Sequence, residues 1–258
     1  RVISGVTCVV DVECNGFGIT KKHRIRHFDS GRVLFRYDED RFVSPCYSNA
    51  NTAKDVVQER IVDRTFADII VKQGRPVVTI SDYDKGMMDK PYVDMLVRIC
   101  DEHDLVTILD SRLRCIHKYD HASIWTPNAQ EWAETATLAG VLVGNEPSWV
   151  EMSRVARWLQ TNRFVSLDAI ILTRGWRGVA VCKNPLNNDG EFRLLSTVGV
   201  PDGSAFTIGC GDTFVAVLAA LLGATSASEF RRMSIEKLQV AVDWAQAACL
   251  AVVTQLGY

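Results

Sequence analysis

Short apolar runs alternate with longer amphipathic segments along most of the chain, and this alternation constrains the fold more than any other feature. Runs such as Val77–Ile80 and Leu105–Leu109 are almost continuously apolar, which is typical of strands buried on both faces. The amphipathic segment Lys90–Glu102 between them predicts a helix. Strand, helix and strand at this spacing indicate parallel strands joined by crossover helices, and the sequence therefore predicts an α/β fold.

The same alternation continues toward the C-terminus. A loop rich in turn-forming residues, Asn184–Gly190, separates two extended segments and predicts an antiparallel pair. The remaining elements expected, in chain order, are a strand at Ser123–Thr126, helices near Ala129–Leu138 and Ser148–Asn162, strands at Ala169–Thr173, Val179–Lys183 and Phe192–Leu195, and two final helices at Asp212–Gly223 and Ile235–Gln255.

The N-terminal residues have a different pattern. Ile19–Arg26 and Val33–Tyr37 are extended, partly alternating segments separated by the turn signal Phe28–Gly31, which predicts a β-hairpin. A helix-like stretch, Asn51–Phe66, follows. We expect one domain over residues 1–258, with residues 1–47 containing the hairpin as a small lid. Because an isolated two-stranded ribbon is only marginally stable, a homodimer formed through this hairpin is a further hypothesis.

Charge and cysteine usage exclude several functional classes. The 29 Lys and Arg nearly balance the 31 Asp and Glu, so no global basic field exists to hold nucleic acid or an anionic membrane. No apolar run approaches the ~20 residues that span a bilayer, and the first residues lack a signal-peptide pattern. The eight cysteines are scattered singly and are expected to be reduced thiols. We therefore expect a soluble, cytoplasmic protein that binds neither nucleic acid nor membrane.

A glycine-rich turn precedes the first of the two final helices. Gly209 and Gly211 flank Cys210 and permit backbone torsions that place successive N–H groups on one side. The following helix adds its positive N-terminal end. Together, the glycine-rich turn and the helix N-terminus predict an anion cradle. Asp212 lies in the first helical turn, and a carboxylate beside a phosphate site suggests phosphoryl transfer. The alternative is an ordinary tight turn in which Asp212 is only a cap.

Asn128 and Glu131 stand at the start of a predicted helix and share one of its faces. That face points to the sheet edge where α/β proteins bind ligands. Hard oxygen donors of this kind suit Mg²⁺, which takes few protein carboxylates and keeps several waters. On spacing alone, a helix cap with a solvated glutamate is the better explanation.

A third segment, Thr173–Gly178, ends a predicted strand with two glycines and two arginines. Gly175 and Gly178 permit close approach of the backbone to a nucleotide, and Arg174 can pair with phosphate through two hydrogen bonds. An ordinary β-turn explains this segment equally well when it is considered alone.

In their order and spacing, these three segments resemble the PfkB/ribokinase-type carbohydrate kinases, whose C-terminal signature reads D-T-x-G-A-G-D and which carry N-x-x-E upstream. Ile80–Gly86 is similar to the S-D-Y-x-K-G segment of the heptose 7-phosphate kinases, the kinase half of the bifunctional bacterial heptose kinase/adenylyltransferase. The T-x-K-x-R and L-x-R-x-D patterns of that subfamily are matched in the hairpin by Thr20, Lys22, Arg24, Leu34, Arg36 and Asp38. The likeness covers nearly the whole chain.

The resemblance implies a ribokinase-like three-layer sandwich with a mainly parallel central sheet and a β-hairpin lid. It implies ATP-dependent phosphorylation of a sugar or sugar-phosphate hydroxyl, with Asp212 as the base and Mg²⁺ as the cofactor. The other implied site residues are Gly209, Cys210 and Gly211 as an anion hole, Thr173, Arg174, Gly175 and Gly178 for the nucleotide, Asn128 and Glu131 for the metal, and Asp82, Lys85, Asp110, Arg112, Lys22 and Arg24 for substrate or phosphate.

The chain also departs from the family pattern. Phe206 stands where the signature begins with Asp, Cys210 replaces its Ala, and Gln246 lies where Asn is usual on the last helix. Asp110-Ser111-Arg112 stands where the subfamily has D-P-K, which keeps the acid and a positive charge.

The family's N-terminal βαβ portion, with an early Asp and a Gly-Gly pair that hold the sugar, would lie upstream of Arg1. The chain is therefore expected to be a fragment, or to have a sugar site that is incomplete or built by a partner. Three functions remain open: a D-glycero-D-manno-heptose 7-phosphate 1-kinase, a PfkB kinase for another sugar, and a non-catalytic homologue that binds nucleotide or sugar phosphate.

Overall fold

The computed structural model describes residues 21–26, 33–39, 64, 75–83, 88–144, 146–162, 165–187, 190–197 and 209–255. These residues fall into two compact units, with the first two strands in one unit and the sheet and helices that follow Arg75 in the other. Apart from Arg64, which is helical, the predicted helix Asn51–Phe66 lies outside the described residues, as does Lys85. The expectation of one domain over residues 1–258 stays a prediction.

The first unit contains the predicted hairpin. Strands β1 (Lys21–Arg26) and β2 (Val33–Glu39) pair in antiparallel fashion, with Lys22 opposite Asp38. The register shifts between Ile25 and Arg26. The hairpin is confirmed, whereas its roles as a lid and as a dimer interface stay predictions.

The second unit is built on one sheet. Its strands are β3 (Val78–Asp82), β4 (Thr107–Ser111), β5 (His121–Trp125), β6 (Ser166–Thr173), β7 (Val179–Lys183) and β8 (Glu191–Leu195). Its helices are α1 (Lys90–Glu102), α2 (Ala129–Leu138), α3 (Trp149–Thr161), α4 (Cys210–Leu221), α5 (Ala227–Arg232) and α6 (Ile235–Gln255). Short 3₁₀ turns cover Leu113–Lys118 and Gly175–Arg177.

The six strands lie side by side in chain order. Strands β3 to β6 run parallel to one another, and β7 and β8 are antiparallel to their neighbours. The carboxyl ends of β3, β4, β5 and β6 therefore meet at one edge of the sheet, which is where ligands of open α/β sheets bind.

Helices cover both faces of this sheet. Ile108, Ile124 and Ile171 lie in one buried cluster with apolar residues of α4, α5 and α6. Side chains alternate across a strand, so Ile170 and Leu172 point to the opposite face, where α3 contacts β6 and β7. This arrangement confirms the predicted α/β class with a mainly parallel central sheet between helical layers. Among the described helices, none is long and apolar enough to cross a membrane.

Side-chain caps explain where most helices begin. Asp89 accepts a hydrogen bond from the Tyr92 N–H at 3.0 Å and starts α1. Helices α2, α3 and α5 begin with capping boxes, in which a polar residue and a glutamate three positions later each bond the other's backbone N–H.

Helix α5 corrects the sequence prediction, which expected only two final helices. It has six residues, too few for an apolar period to be recognisable. The signal that identifies it is Ser226 followed by Glu229, the pattern of a capping box.

Candidate active site

A small cavity of about 150 Å³ lies at the carboxyl edge of the parallel strands. Each strand supplies a residue at or just past its end: Tyr83 after β3, Asp110 in β4, Thr126 after β5 and Thr173 in β6. The start of α2 contributes Asn128 and Glu131, and the first turn of α4 contributes Gly211, Asp212, Phe214 and Val215. The structure thus brings Asp110, Asn128, Glu131 and Asp212, which the sequence singled out separately, around one cavity.

The N-terminus of α4 differs from those of α1, α2, α3 and α5 because no side chain caps it. Its N-cap is Gly209, whose φ of +82° lies in the left-handed region that favours glycine. The first intrahelical hydrogen bond of α4 joins the Thr213 N–H to the Gly209 carbonyl at 2.9 Å. The N–H groups of Cys210, Gly211 and Asp212 come before it and have no acceptor within the helix. Among the residues that the structure describes, no atom lies within 4 Å of a Cβ added at Gly209 or Gly211. This open, positively polarised end has the geometry of an anion cradle.

A second, larger cavity of about 820 Å³ adjoins the first. The two cavities share Asn128, Thr173, Gly211 and Phe214 in their walls. The larger cavity is lined further by Arg174, Gly175, Trp176 and Gly178 of the turn after β6, by Ser196 and Thr197 after β8, and by Cys210, Asp243, Gln246, Ala247, Cys249 and Leu250 of the helices. Its volume is within the ~300–1,000 Å³ of small-molecule sites.

The turn after β6 is closed by its own backbone. The Arg174 N–H bonds the Gly178 carbonyl at 2.8 Å, and the Gly178 N–H bonds the Gly175 carbonyl at 3.0 Å. The Arg174 guanidinium donates from Nη2 to the Arg177 carbonyl at 2.6 Å. Burial lowers the pKa of Arg174. Phosphate pairing by Arg174 stays a prediction.

Burial and neighbouring carboxylates shape the electrostatics of the small cavity. Burial, followed by the nearby charges of Glu131 and Asp212, raises the pKa of Asp110 to about 6. The pKa of Glu131 is also raised by burial, although the Asn128 N–H and the Arg112 charge oppose this rise. Ionisation of Asp110 is therefore unfavourable in the folded protein, because it adds a negative charge to a partly desolvated acidic site.

We expect Asp110→Asn to stabilise the protein at neutral pH. The pKa of Asp110 is higher in the folded protein than its ordinary value of 3.8, so its ionisation penalises folding progressively as pH rises from 4 to 6, and fully above that range. At pH 7 the free energy of unfolding should rise by about 1–3 kcal/mol, and at pH 4 it should hardly change. Urea denaturation at both pH values measures this difference, with the exposed Asp94→Asn variant as the control. An equal gain at both pH values would contradict this origin.

Asn128 and Glu131 bond each other in a capping box. Asn128 Oδ1 accepts the N–H groups of Gln130 and Glu131, and Glu131 Oε2 accepts the Asn128 N–H at 3.0 Å. In the described part of the chain, no three His, Cys, Asp or Glu residues are grouped to hold a metal ion. These donors fit a Mg²⁺ ion that takes most of its ligands from water and phosphate, rather than one held by protein alone. Their role at a metal stays a prediction.

Asp82 is buried, with only 3% of its surface exposed. Its Oδ2 accepts hydrogen bonds from Lys118 Nζ at 3.1 Å and from the Tyr119 hydroxyl at 3.0 Å. These contacts indicate a structural anchor for the end of β3, and the predicted direct contact with substrate stays untested. Arg112 is exposed just after β4. The other predicted substrate residues, Lys22 and Arg24, lie in the hairpin unit.

Several residues of the site escaped the sequence analysis. Tyr83 lies within the recognised S-D-Y-x-K-G segment, and its position next to Asp82 places it on the opposite, exposed side of β3. Trp176 and Asp243 had no sequence signal of their own. The Cys249 thiol donates to the Cys210 carbonyl at 3.1 Å, and the described cysteines are free thiols.

Comparison of sequences identifies relatives of part of the chain. No family model matches it. It is 25% identical to the bifunctional protein HldE of Helicobacter pylori strain J99 over 182 residues, 70% of this chain and 34% of that protein. It is 29% identical to HldE of Nitrosococcus oceani over 155 residues, 59% of this chain and 28% of that protein. For HldE of Rhodospirillum rubrum the identity is 31% over 147 residues, 56% of this chain and 26% of that protein. The chain thus spans about a third or less of these relatives.

Solved structures with the same architecture include sugar and sugar-phosphate kinases. Ribokinase from Giardia lamblia matches with a TM-score of 0.54 and 17% identity, over 88% of this chain and 64% of that one. The tetrameric inhibited form of phosphofructokinase-2 from Escherichia coli matches with a TM-score of 0.53 and 16% identity, over 86% of this chain and 62% of that one. The predicted resemblance is confirmed: the chain has the ribokinase-like α/β fold and is similar in sequence to the bifunctional HldE proteins.

Proposed function

We propose that the protein transfers the γ-phosphoryl group of ATP to a hydroxyl of a sugar or sugar phosphate. The observation that carries this proposal is the position of Asp212 in the first turn of α4, at the wall of the small cavity. The glycine cradle directly before it borders the large cavity through Cys210 and Gly211. The proposed base and the proposed anion site are therefore adjacent, with the small cavity beside the base and the large cavity beside the anion site.

In the proposed mechanism the nucleotide occupies the large cavity and the acceptor hydroxyl enters the small one. Asp212 accepts the hydroxyl proton as the oxygen attacks the γ-phosphorus, the bond from that phosphorus to the bridging oxygen breaks, and ADP leaves; one carboxylate suffices for the proton transfer. The uncapped amides of Cys210, Gly211 and Asp212 donate toward the phosphoryl oxygens and stabilise their charge. Phosphoryl transfer depends mainly on such positioning and charge neutralisation, which is what these residues offer.

Mg²⁺, when bound with the nucleotide, would supply further neutralisation of phosphate charge, with Asn128 and Glu131 as the predicted protein donors. The residues of the chain itself perform the remaining tasks. Thr173 fixes the end of β6 against the start of α2, because its N–H bonds the Pro127 carbonyl at 2.9 Å. This contact holds the walls shared by the two cavities in place.

We propose D-glycero-D-manno-heptose 7-phosphate as the acceptor, phosphorylated at its 1-hydroxyl. The similarity to HldE proteins and the Ile80–Gly86 segment support this choice. A PfkB-type kinase for another sugar has the same base and cradle, so the choice of acceptor is tested separately from the chemistry.

The test measures ADP release with Mg²⁺·ATP and a panel of acceptors: heptose 7-phosphate, fructose 6-phosphate and ribose. Phosphorus NMR of the product identifies the hydroxyl that is modified. Turnover with heptose 7-phosphate at least ~10-fold above the others in kcat/KM supports the proposed acceptor. Turnover with another sugar keeps the kinase and overturns the acceptor. ATP binding by calorimetry without turnover on any acceptor would favour a non-catalytic binding protein.

We expect Glu131→Gln to raise the Mg²⁺ concentration that gives half-maximal activity by about three- to tenfold, because the substitution removes a negative charge at the proposed metal site. Glu151→Gln is the matched control, since Glu151 occupies the same place in the capping box of α3 and lines neither cavity. Steady-state rates over a Mg²⁺ titration distinguish the variants. If both substitutions leave the Mg²⁺ dependence unchanged, Glu131 is only a cap.

A further inference from the structure

Tyr83 contacts the proposed base directly. Its hydroxyl donates to Asp212 Oδ1 at 3.4 Å, across 129 positions in the chain. Its side chain is 45% exposed and lines the small cavity. The Tyr83 hydroxyl therefore engages one oxygen of the carboxylate that is proposed to act as the base.

The geometry of β3 determines which residues face this cavity. Burial alternates along the strand, with Ile80 and Asp82 buried and Ser81 and Tyr83 exposed. The buried side is anchored, because Asp82 is bonded by Lys118 and Tyr119. The buried side of the strand end is thus anchored, while Tyr83, on the exposed side with Ser81, lines the cavity.

A chain of polar groups connects the carboxylates of the cavity. Ser81 lies near both Tyr83 and Asp110, where its hydroxyl opposes the rise of their pKa values, and the Tyr83 hydroxyl bonds Asp212. Burial and the charges of Asp212 and Asp110 raise the pKa of Tyr83, so the phenol stays protonated and remains a donor at neutral pH.

We propose that Tyr83 is a positioning residue for Asp212: its hydroxyl occupies Oδ1 and so orients Oδ2 toward the acceptor hydroxyl. An aspartate carboxylate otherwise rotates broadly about χ2, and a general base must lie within hydrogen-bond reach of the proton it accepts. This inference rests on the proposed function, because it assigns Tyr83 a part in the same step.

Tyr83→Phe tests the proposal, since it removes only the hydroxyl. We expect kcat to fall about three- to tenfold while the KM for ATP stays within about twofold, because one hydrogen bond to the base is lost and the large cavity is untouched. Tyr92→Phe on α1, which lines neither cavity, is the matched control and should leave both constants unchanged.

A double-mutant cycle separates positioning from a general structural effect. If Tyr83 acts through Asp212, Tyr83→Phe should cost nothing further in an Asp212→Asn protein. An equal loss in both backgrounds, or an unchanged kcat in Tyr83→Phe alone, would overturn the proposal.

A spectroscopic measurement keeps this inference distinct from the kinase proposal. In protein labelled with ¹³C at tyrosine Cζ, the Tyr83 signal, identified from Tyr83→Phe, should shift in Asp212→Asn and not in Asp94→Asn. If the Tyr83 signal shifts but the protein phosphorylates no acceptor, the contact between Tyr83 and Asp212 is supported and the kinase proposal is rejected. An unmoved signal would show that Tyr83 does not sense Asp212 and would overturn the inference.

Discussion

Asp212→Asn should reduce phosphoryl transfer by ~10²–10⁴-fold, because the amide keeps the shape of the carboxylate and cannot accept the proton of the acceptor hydroxyl. Nucleotide binding should persist, since Asp212 lines only the small cavity and the amides at the start of α4 are unchanged. The measurement pairs a coupled assay with calorimetric titration of Mg²⁺·ATP.

The control for this experiment is Asp94→Asn on α1, an exposed aspartate that pairs with Lys90 and lines neither cavity. Its turnover should match that of the unmodified protein. Near-normal turnover in Asp212→Asn would remove the carboxylate from the mechanism, whereas loss of ATP binding together with turnover would indicate a damaged cradle instead of a missing base.

Gly178→Ala should cost about 2–5 kcal/mol of unfolding free energy. Gly178 has φ +88° and ψ −148°, a conformation essentially restricted to glycine. An added Cβ would overlap the Leu195 carbonyl oxygen and lie 2.9 Å from its carbon. Both are backbone atoms, so β8 would have to shift, and overpacking of this kind adds to the conformational cost.

Gly175→Ala in the same turn is the matched control. Its φ of +59° also favours glycine, but a Cβ there meets nothing within 4 Å, so only the conformational cost of about 1–2 kcal/mol applies. Urea denaturation of both variants measures the difference. Equal losses of unfolding free energy would show that β8 shifts at little cost and that the close approach of Leu195 to Gly178 does not add to the effect.

The sequence predicted the elements whose signals are local. Helix α1 matches its predicted bounds, Lys90–Glu102, because an apolar stripe and the cap Asp89 act within the segment itself. The antiparallel pair β7 and β8 follows from extended segments flanking a turn-rich loop. Helix α5 was missed because six residues are too few for periodicity to appear.

The site residues were predicted from local patterns and from the family resemblance. Asp212 and Thr173 follow from their glycine-containing turns, and Asp110 from its likeness to the D-P-K segment; parallel strands ending at one edge explain why they line one cavity. The contact between Tyr83 and Asp212 depends on how α4 packs beside β3, a relation between segments far apart in the chain that no local pattern encodes. The pairing of Asp82 with Lys118 and Tyr119 could not be predicted from the sequence for the same reason.

Gly178 and the residues at the start of α4 differ in how far a substitution would disturb the rest of the protein. Because the backbone of β8 lies directly against Gly178, a larger residue at position 178 would disturb the sheet whether or not the protein is an active enzyme. A Cβ added at Gly209 meets no atom of the described residues within 4 Å, and Asp212 is exposed, so substitutions there should leave the sheet intact. A protein that keeps Gly178 but lacks Gly209 and Asp212 is therefore expected to keep this fold without the proposed phosphoryl transfer.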